Sequence, residues 1–228
     1  MKTLAIKICA RTLTVATLAV AHATFAQDGD IRTGEANGLT WTYQVTSEDF
    51  KTASLCQNGI TPTIPHTTKD QVVIPAELNG YIITEIGKCA FMKCNFVSGF
   101  DIPNTIVAIQ ENAFSACRRL KTIIIPESVT SISDSAFNAC TMLSSITLLG
   151  AHTTFGEEVF SSDSNLTTIY VVGNTSQANV LAALTSSNIN SCSVKTLATF
   201  DSGCESFMTK LTPPSTPGGK WQITAFAS

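Results

Sequence analysis

The sequence predicts an α/β-type repeat solenoid of mostly short parallel strands. About four 23-residue coils are expected, with an N-terminal β-hairpin cap and a C-terminal helical cap. Three observations carry this reading. First, Ala113-Phe114, Ala136-Phe137 and Val159-Phe160 recur every 23 residues between Pro103 and Val172, with Ala90-Phe91 starting the series. Second, Cys94, Cys117 and Cys140 keep the same step, as do Leu120, Leu143 and Leu166. Third, each unit ends in an apolar triplet: Ile123-Ile124-Ile125, Ile146-Thr147-Leu148 and Ile169-Tyr170-Val171. A period in the low twenties marks a solenoid, in which each unit buries its apolar face only against its neighbours.

Residues 1–26 read as an export signal. Lys2, Lys7 and Arg11 precede the uncharged run Thr12 to Ala21, and small residues follow at Ala21-His22-Ala23 and Thr24-Phe25-Ala26. Cleavage is expected after Ala26 or Ala23. The apolar run is shorter than the ~20 residues of a spanning helix, and no later segment would cross a bilayer. Residues 27–37 are polar and contain glycine, so a flexible linker is expected there. Residues 38–71 would form the N-terminal cap. Leu39 to Val45 alternates apolar and polar residues as a half-buried strand does, with Ala53 to Cys56 as its hairpin partner. Gly59 to Lys69, with Pro62 and Pro65, reads as a loop.

The repeats are placed at residues 72–173. Val72-Val73-Ile74-Pro75 is the first copy of the strand, and Asn79-Gly80 signals a turn that widens the first coil. In register, Ile86, Ile109, Ile132 and Phe155 make one buried row, and Phe91, Phe114, Phe137 and Phe160 make an aromatic spine. Phe100, Ile123, Ile146 and Ile169 point inward, as do Ile102, Ile125, Leu148 and Val171, so the residue between each inward pair faces out. Residues 174–228 would close the end. Asn174 to Gln177 resembles a capping box opening a helix that ends near Ser187, with Ala178, Leu181, Ala182 and Thr185 on its apolar face. Ile189 to Thr199 is expected to return as a strand, and Trp221 to Phe226 is a last candidate strand. The repeat itself is expected to stop at Val172.

The unit Ile-Pro-x-x-Val-x-x-Ile-x-x-x-Ala-Phe-x-x-Cys-x-x-Leu-x-x-Ile-x-Ile resembles the BspA-like, or Treponema-type, leucine-rich repeat, most fully over Pro126 to Leu148. The resemblance spans roughly residues 72–173. It implies an α/β-type leucine-rich repeat solenoid on an exported or surface protein. It also implies adhesion to host matrix or cell-surface proteins, with no shared catalytic motif to carry over.

Charge and chemistry narrow the function classes. Loss of residues 1–26 removes three cations and no acid, leaving 11 Lys and Arg against 17 Asp and Glu, a net charge near −6. That balance disfavours nucleic acid and anionic lipid as partners. Seven cysteines remain, and the column Cys94, Cys117, Cys140 reads as buried thiols packed as small hydrophobes. Collinear sulfurs without a histidine do not make a zinc tetrahedron, so no metal or other cofactor is expected. Cys192 and Cys204 are open disulfide candidates. His66 lies in a Pro/Thr loop without a nucleophile, and His152 reads as a rim residue. Glu111, Asp134 and Glu157 form an acidic row that reads as a solvated turn rather than a calcium site. Arg118, Arg119 and Lys121 form a basic patch in one coil, either a solvent edge or a contact for an acidic partner.

The outward strand positions are the expected binding face: Asp101, Thr122, Ile124, Ser145, Thr147, Thr168 and Tyr170, alongside Gly99. Exposed Ile124 and Tyr170 on a sheet of small residues suit protein contact. The functional expectation is an exported, secreted, periplasmic or cell-surface protein that binds protein and is not an enzyme. Carbohydrate binding, or a structural role in the cell envelope, is the alternative.

Overall fold

The computed structural model describes residues 29–56, 63–150, 152–172, 175–189 and 191–197. The described residues open with three antiparallel strands, β1 (Ile31–Ala36), β2 (Leu39–Ser47) and β3 (Thr52–Leu55). The wide first coil follows with β4 (Asp70–Val73), β5 (Glu77–Leu78) and β6 (Tyr81–Ile86), where β5 and β6 form the hairpin turned by Asn79-Gly80. Broad and two-residue strands then alternate: β7 (Val97–Asp101), β8 (Ala108–Ile109), β9 (Thr122–Ile125), β10 (Ser131–Ile132), β11 (Ser145–Leu148), β12 (Thr154–Phe155) and β13 (Thr168–Val172). Helix α1 (Thr175–Ser186) and β14 (Ser193–Leu197) end the described chain.

The result is a solenoid of about five turns with two walls. The narrow wall is β6-β8-β10-β12, all parallel, and the cap joins it because β3 pairs parallel with β6. The broad wall consists of β4-β7 and β9-β11-β13-β14. β7 and β9 lie side by side, linked by the Lys121 N–H donating to the Ser98 carbonyl at 3.3 Å.

Between the walls the predicted rows are realised. Ile86, Ile109 and Ile132 are buried in register, while Phe155 at the last rung is half-buried. Phe91, Phe114, Phe137 and Phe160 stack with centroids 5.3, 5.2 and 6.1 Å apart. Trp41 of β2 closes the spine, meeting Phe91 edge-on at 6.2 Å and donating its Nε1–H to the Ala36 carbonyl at 2.9 Å. Each aromatic contact contributes roughly 0.5–1.5 kcal/mol beyond burial.

Three expectations are corrected. Residues 27–37 are not a linker throughout, because Ile31–Ala36 is β1, paired with β2 along its whole length. Asn37 and Gly38 both take left-handed φ (53° and 75°) in a two-residue hairpin turn, which fixes the strand's register. Gly34 permits close packing: a Cβ there would lie 3.1 Å from Asn79 Nδ2 and 3.3 Å from Leu78 Cδ2.

The repeat does not stop at Val172. β14 pairs parallel with β13, placing Val194 beside Ile169, so α1 replaces the loop side of one further coil. The buried face of that helix also differs from expectation. Val180, Ala183 and Leu184 are buried, whereas Ala178, Leu181, Ala182 and Thr185 are exposed. Both sets have helical spacing, but the first puts two large branched side chains against the last coil and so removes more apolar area from water. Residues 1–28, Asn174, Cys204 and Trp221 to Phe226 lie outside the described residues.

Candidate binding face

The broad wall positions every side chain of the candidate face. β9, β11 and β13 pair in register, aligning Thr122, Ser145 and Thr168 in one outward row and Ile124, Thr147 and Tyr170 in the next. Ile123, Ile146 and Ile169 anchor the first row from behind at 0–2% exposure; Ile125, Leu148 and Val171 anchor the second. Strand alternation therefore forces the outward set to face water. Asp101 stands at the matching position of β7, where its Oδ1 accepts from Gln71 Nε2 at 2.7 Å. The Gln71 side chain lies over Gly99, which is buried.

The strand expected within Ile189 to Thr199 is present as β14, but its place at the far end of this face was missed by sequence reasoning. β14 extends the rows with Ser193 beside Thr168 and Lys195 beside Tyr170. The Lys195 ammonium sits 5.9 Å from the Tyr170 ring centroid, within cation–π range. The signal was present as Ser193-Val194-Lys195-Thr196-Leu197, but the helix shifts the spacing from 23 to 25 residues (Ile169 to Val194) and hides it. The assembled second row thus reads Asp101, Ile124, Thr147, Tyr170, Lys195. It is acidic at one end, basic at the other, and apolar between, with Ile124 56% exposed.

The other candidates stand apart from this wall. Cys94, Cys117 and Cys140 are buried free thiols. Cys117 Sγ donates to the Phe91 carbonyl and Cys140 Sγ to the Phe114 carbonyl, each at 3.1 Å. Burial pushes the Cys94 thiol up to about 12 and the Cys117 thiol well above its ordinary value. The acidic row borders an open depression on the narrow wall, lined in part by Gln110, Glu111, Ser133 and Asp134. Its carboxylates serve the structure: Glu111 pairs with Lys88 at 2.8 Å, and Asp134 Oδ1 accepts the Glu157 N–H at 2.8 Å. Among the described residues no three His, Cys, Asp or Glu side chains are grouped to hold a metal. His66 and His152 are exposed; beside His152, buried Thr153 donates to the Val129 carbonyl at 3.0 Å.

The profile of the BspA type leucine rich repeat region matches residues 83–211 in six copies. The chain belongs to that family. The match runs beyond residue 173, in accord with the extra rung formed by β14.

Two solved structures share the fold of this BspA type protein. The leucine rich repeat protein of T. pallidum is 22% identical, with a TM-score of 0.50, over 68% of this chain and 61% of that one. A leucine rich cell surface protein of Faecalibacterium prausnitzii is 21% identical, with a TM-score of 0.54, over 76% of this chain and 40% of that one. The chain therefore spans less than two thirds of either relative. No curated protein matches the sequence.

Proposed function

We propose that this protein is an exported or surface-located binding module that recognises protein through the outward face of its broad wall, in a role such as adhesion. The carrying observation is the second row, in register from Ile124 to Lys195 with Asp101 beside it on β7, and with exposed Ile124 and half-exposed Tyr170 on a floor of Ser and Thr. Aromatic and branched apolar anchors surrounded by small polar residues form the desolvating centre of many protein interfaces.

Export is supported by the Lys/Arg-flanked apolar run of residues 1–26. It is also consistent with a relative described as a cell surface protein. Among the described residues no helix is long and apolar enough to cross a membrane. Binding is favoured over catalysis because the middle of the face carries hydroxyls and apolar groups, while its carboxylate and ammonium, Asp101 and Lys195, stand at opposite ends of the row.

The test is capture of matrix and cell-surface proteins by the wild-type chain and by Ile124→Ala/Tyr170→Ala, alongside a glycan array. Loss of protein capture in the double variant is expected. Undiminished capture would remove the face from consideration, and binding confined to glycans would favour the carbohydrate reading.

A further inference from the structure

We propose that the edge leading onto this face is a docking ridge for an acidic protein segment that also carries apolar side chains. This rests on the reading of the broad wall as a protein-binding face, and it names the chemistry of the partner. The ridge is built by the residues that enter β7, β9 and β11. Phe96, Arg119 and Met142 share one column at 23-residue spacing, so they stand on adjacent coils about 4.8 Å apart. Phe96 is 47% and Met142 46% exposed, and Arg119 between them is exposed as well. In the same coil Arg118 and Lys121 are exposed around buried Leu120, and Ile124 follows on the face itself.

The charge on this ridge is unbalanced. Arg32, Lys51 and Lys88 pair with carboxylates, whereas Arg118, Arg119 and Lys121, like the scattered Lys69, Lys93 and Lys195, have no ion pair among the described residues. Residues 95–98, 118–121, 141–144 and 164–167 contain no acid, and exposed Asp70, opposite Val97, lies on β4 at the far side of β7 from Arg119. A negatively charged protein thus collects three unpaired cations in one coil and flanks the central guanidinium with exposed apolar side chains. Carboxylates match the Arg forks in geometry as well as charge. Phe, Met and Arg are residue types enriched where proteins meet, and covering Phe96 and Met142 removes apolar surface from water. A sulfated glycan or nucleic acid would engage the cations but leave both apolar side chains without a role, and three cations give it little counterion release.

The experiment titrates the purified protein with three probes at low and physiological salt. They are a fluorescent peptide mixing Glu and Leu, an all-Glu peptide of equal charge, and a heparin oligosaccharide. The Glu/Leu peptide is expected to bind most tightly and to weaken with salt. Arg119→Glu should lower its affinity by about tenfold or more, since it replaces attraction by like-charge repulsion at the centre of the ridge. Phe96→Ala/Met142→Ala should reduce the Glu/Leu peptide to the affinity of the all-Glu peptide. Equal or tighter binding of heparin or all-Glu peptide would overturn the proposal, as would an Arg119→Glu variant that binds unchanged. A dimer of the free protein that dissociates on Arg119→Glu would make a second copy the occupant and equally overturn it. Tyr170→Ala, at the far end of the face, separates the two readings. If it abolishes protein capture while Arg119→Glu does not, the face stands and the ridge falls.

Discussion

The Ser187 hydroxyl stands in beneath Phe160 for the loop backbone that the last coil replaces with α1. In each earlier coil the spine phenylalanine donates its backbone N–H to the next coil: Phe91 to the Ala113 carbonyl, Phe114 to Ala136 and Phe137 to Val159, at 2.7–3.0 Å. Phe160 has no such carbonyl, and its N–H instead donates to Ser187 Oγ at 3.0 Å, while that hydroxyl donates to the Ala183 carbonyl at 2.7 Å. Ser187 is buried. Ser187→Ala would leave the Phe160 donor unsatisfied and is expected to cost about 1–3 kcal/mol. Urea unfolding measures this, and a loss under a few tenths of a kcal/mol would show that the end rung satisfies itself in another way.

Asp163 is the fourth member of the cysteine column and its chemical exception. Cys140 lies one coil before it, yet Asp163 is 2% exposed and, among the described residues, neither carboxyl oxygen has a hydrogen-bond partner that meets normal geometry. Burial pushes its pKa up to about 8, with only the Cys140 backbone N–H acting the other way. Between about pH 4 and pH 8 the folded protein therefore holds a proton that the unfolded chain releases. Stability from this group is full below the unfolded value and falls as pH rises towards 8, by up to roughly 1.4 kcal/mol per pH unit. Asp163→Cys, which restores the residue of the earlier coils, should flatten that slope and stabilise the protein most at the alkaline end. The check is the urea midpoint of both proteins across this range. A wild-type stability that rises with pH through the window would contradict the assignment.

What could be read in the sequence was whatever repeats. The Ile, Phe, Cys and Leu columns fixed the strands and the inward set, because four coils had to solve one packing problem in the same way. Asp101, Ile124, Thr147 and Tyr170 followed from alternation alone. The ends were harder, because each capping element is unique. β1 was hidden by a polar composition, although Asn37-Gly38 carried the hairpin signal. The buried face of α1 was ambiguous because small residues leave two helical stripes nearly equal, and only the shape of the last coil chooses Val180 and Leu184. Lys195 was missed because the intervening helix breaks the period.

The turns that join the two walls hold the backbone in an unfavourable conformation at fixed intervals. Cys89, Asn112, Ser135 and Glu158 take positive φ, as do Lys93, Ala116, Ala139 and Ser162, both sets at 23-residue spacing. Inter-coil bonds hold them there: Ala116 N–H donates to the Asn138 carbonyl at 2.7 Å and Ala139 N–H to the Ser161 carbonyl at 2.8 Å. A side chain in this region costs about 1–2 kcal/mol, partly offset in a glycine variant by the greater entropy of the unfolded chain. Ala116→Gly and Ala139→Gly are each expected to stabilise by about 0.5–1 kcal/mol. Destabilisation by both would mean that their methyl groups contribute more packing than the conformation costs.

The cysteine column predicts an order of thiol reactivity. Thiolate is the reacting species, so both burial and a high pKa suppress labelling. Cys94, Cys117 and Cys140 are 0–2% exposed, and the latter two thiols donate to carbonyls of the preceding coil. Cys89 is only half-buried in a turn next to Lys88, whose charge works against the upward shift that burial imposes. Cys56, also half-buried, is pushed up to about 11. Among these five thiols, in native protein near neutral pH, a maleimide should therefore modify Cys89 first, Cys56 more slowly, and the column only after denaturation. Peptide mapping of labelled sites over time reads this order. Labelling of Cys117 in the native state as fast as Cys89 would mean that neighbouring coils separate readily. A column that resists labelling even when unfolded, until reductant is added, would show that its sulfurs are bonded and that the thiol ladder is wrong.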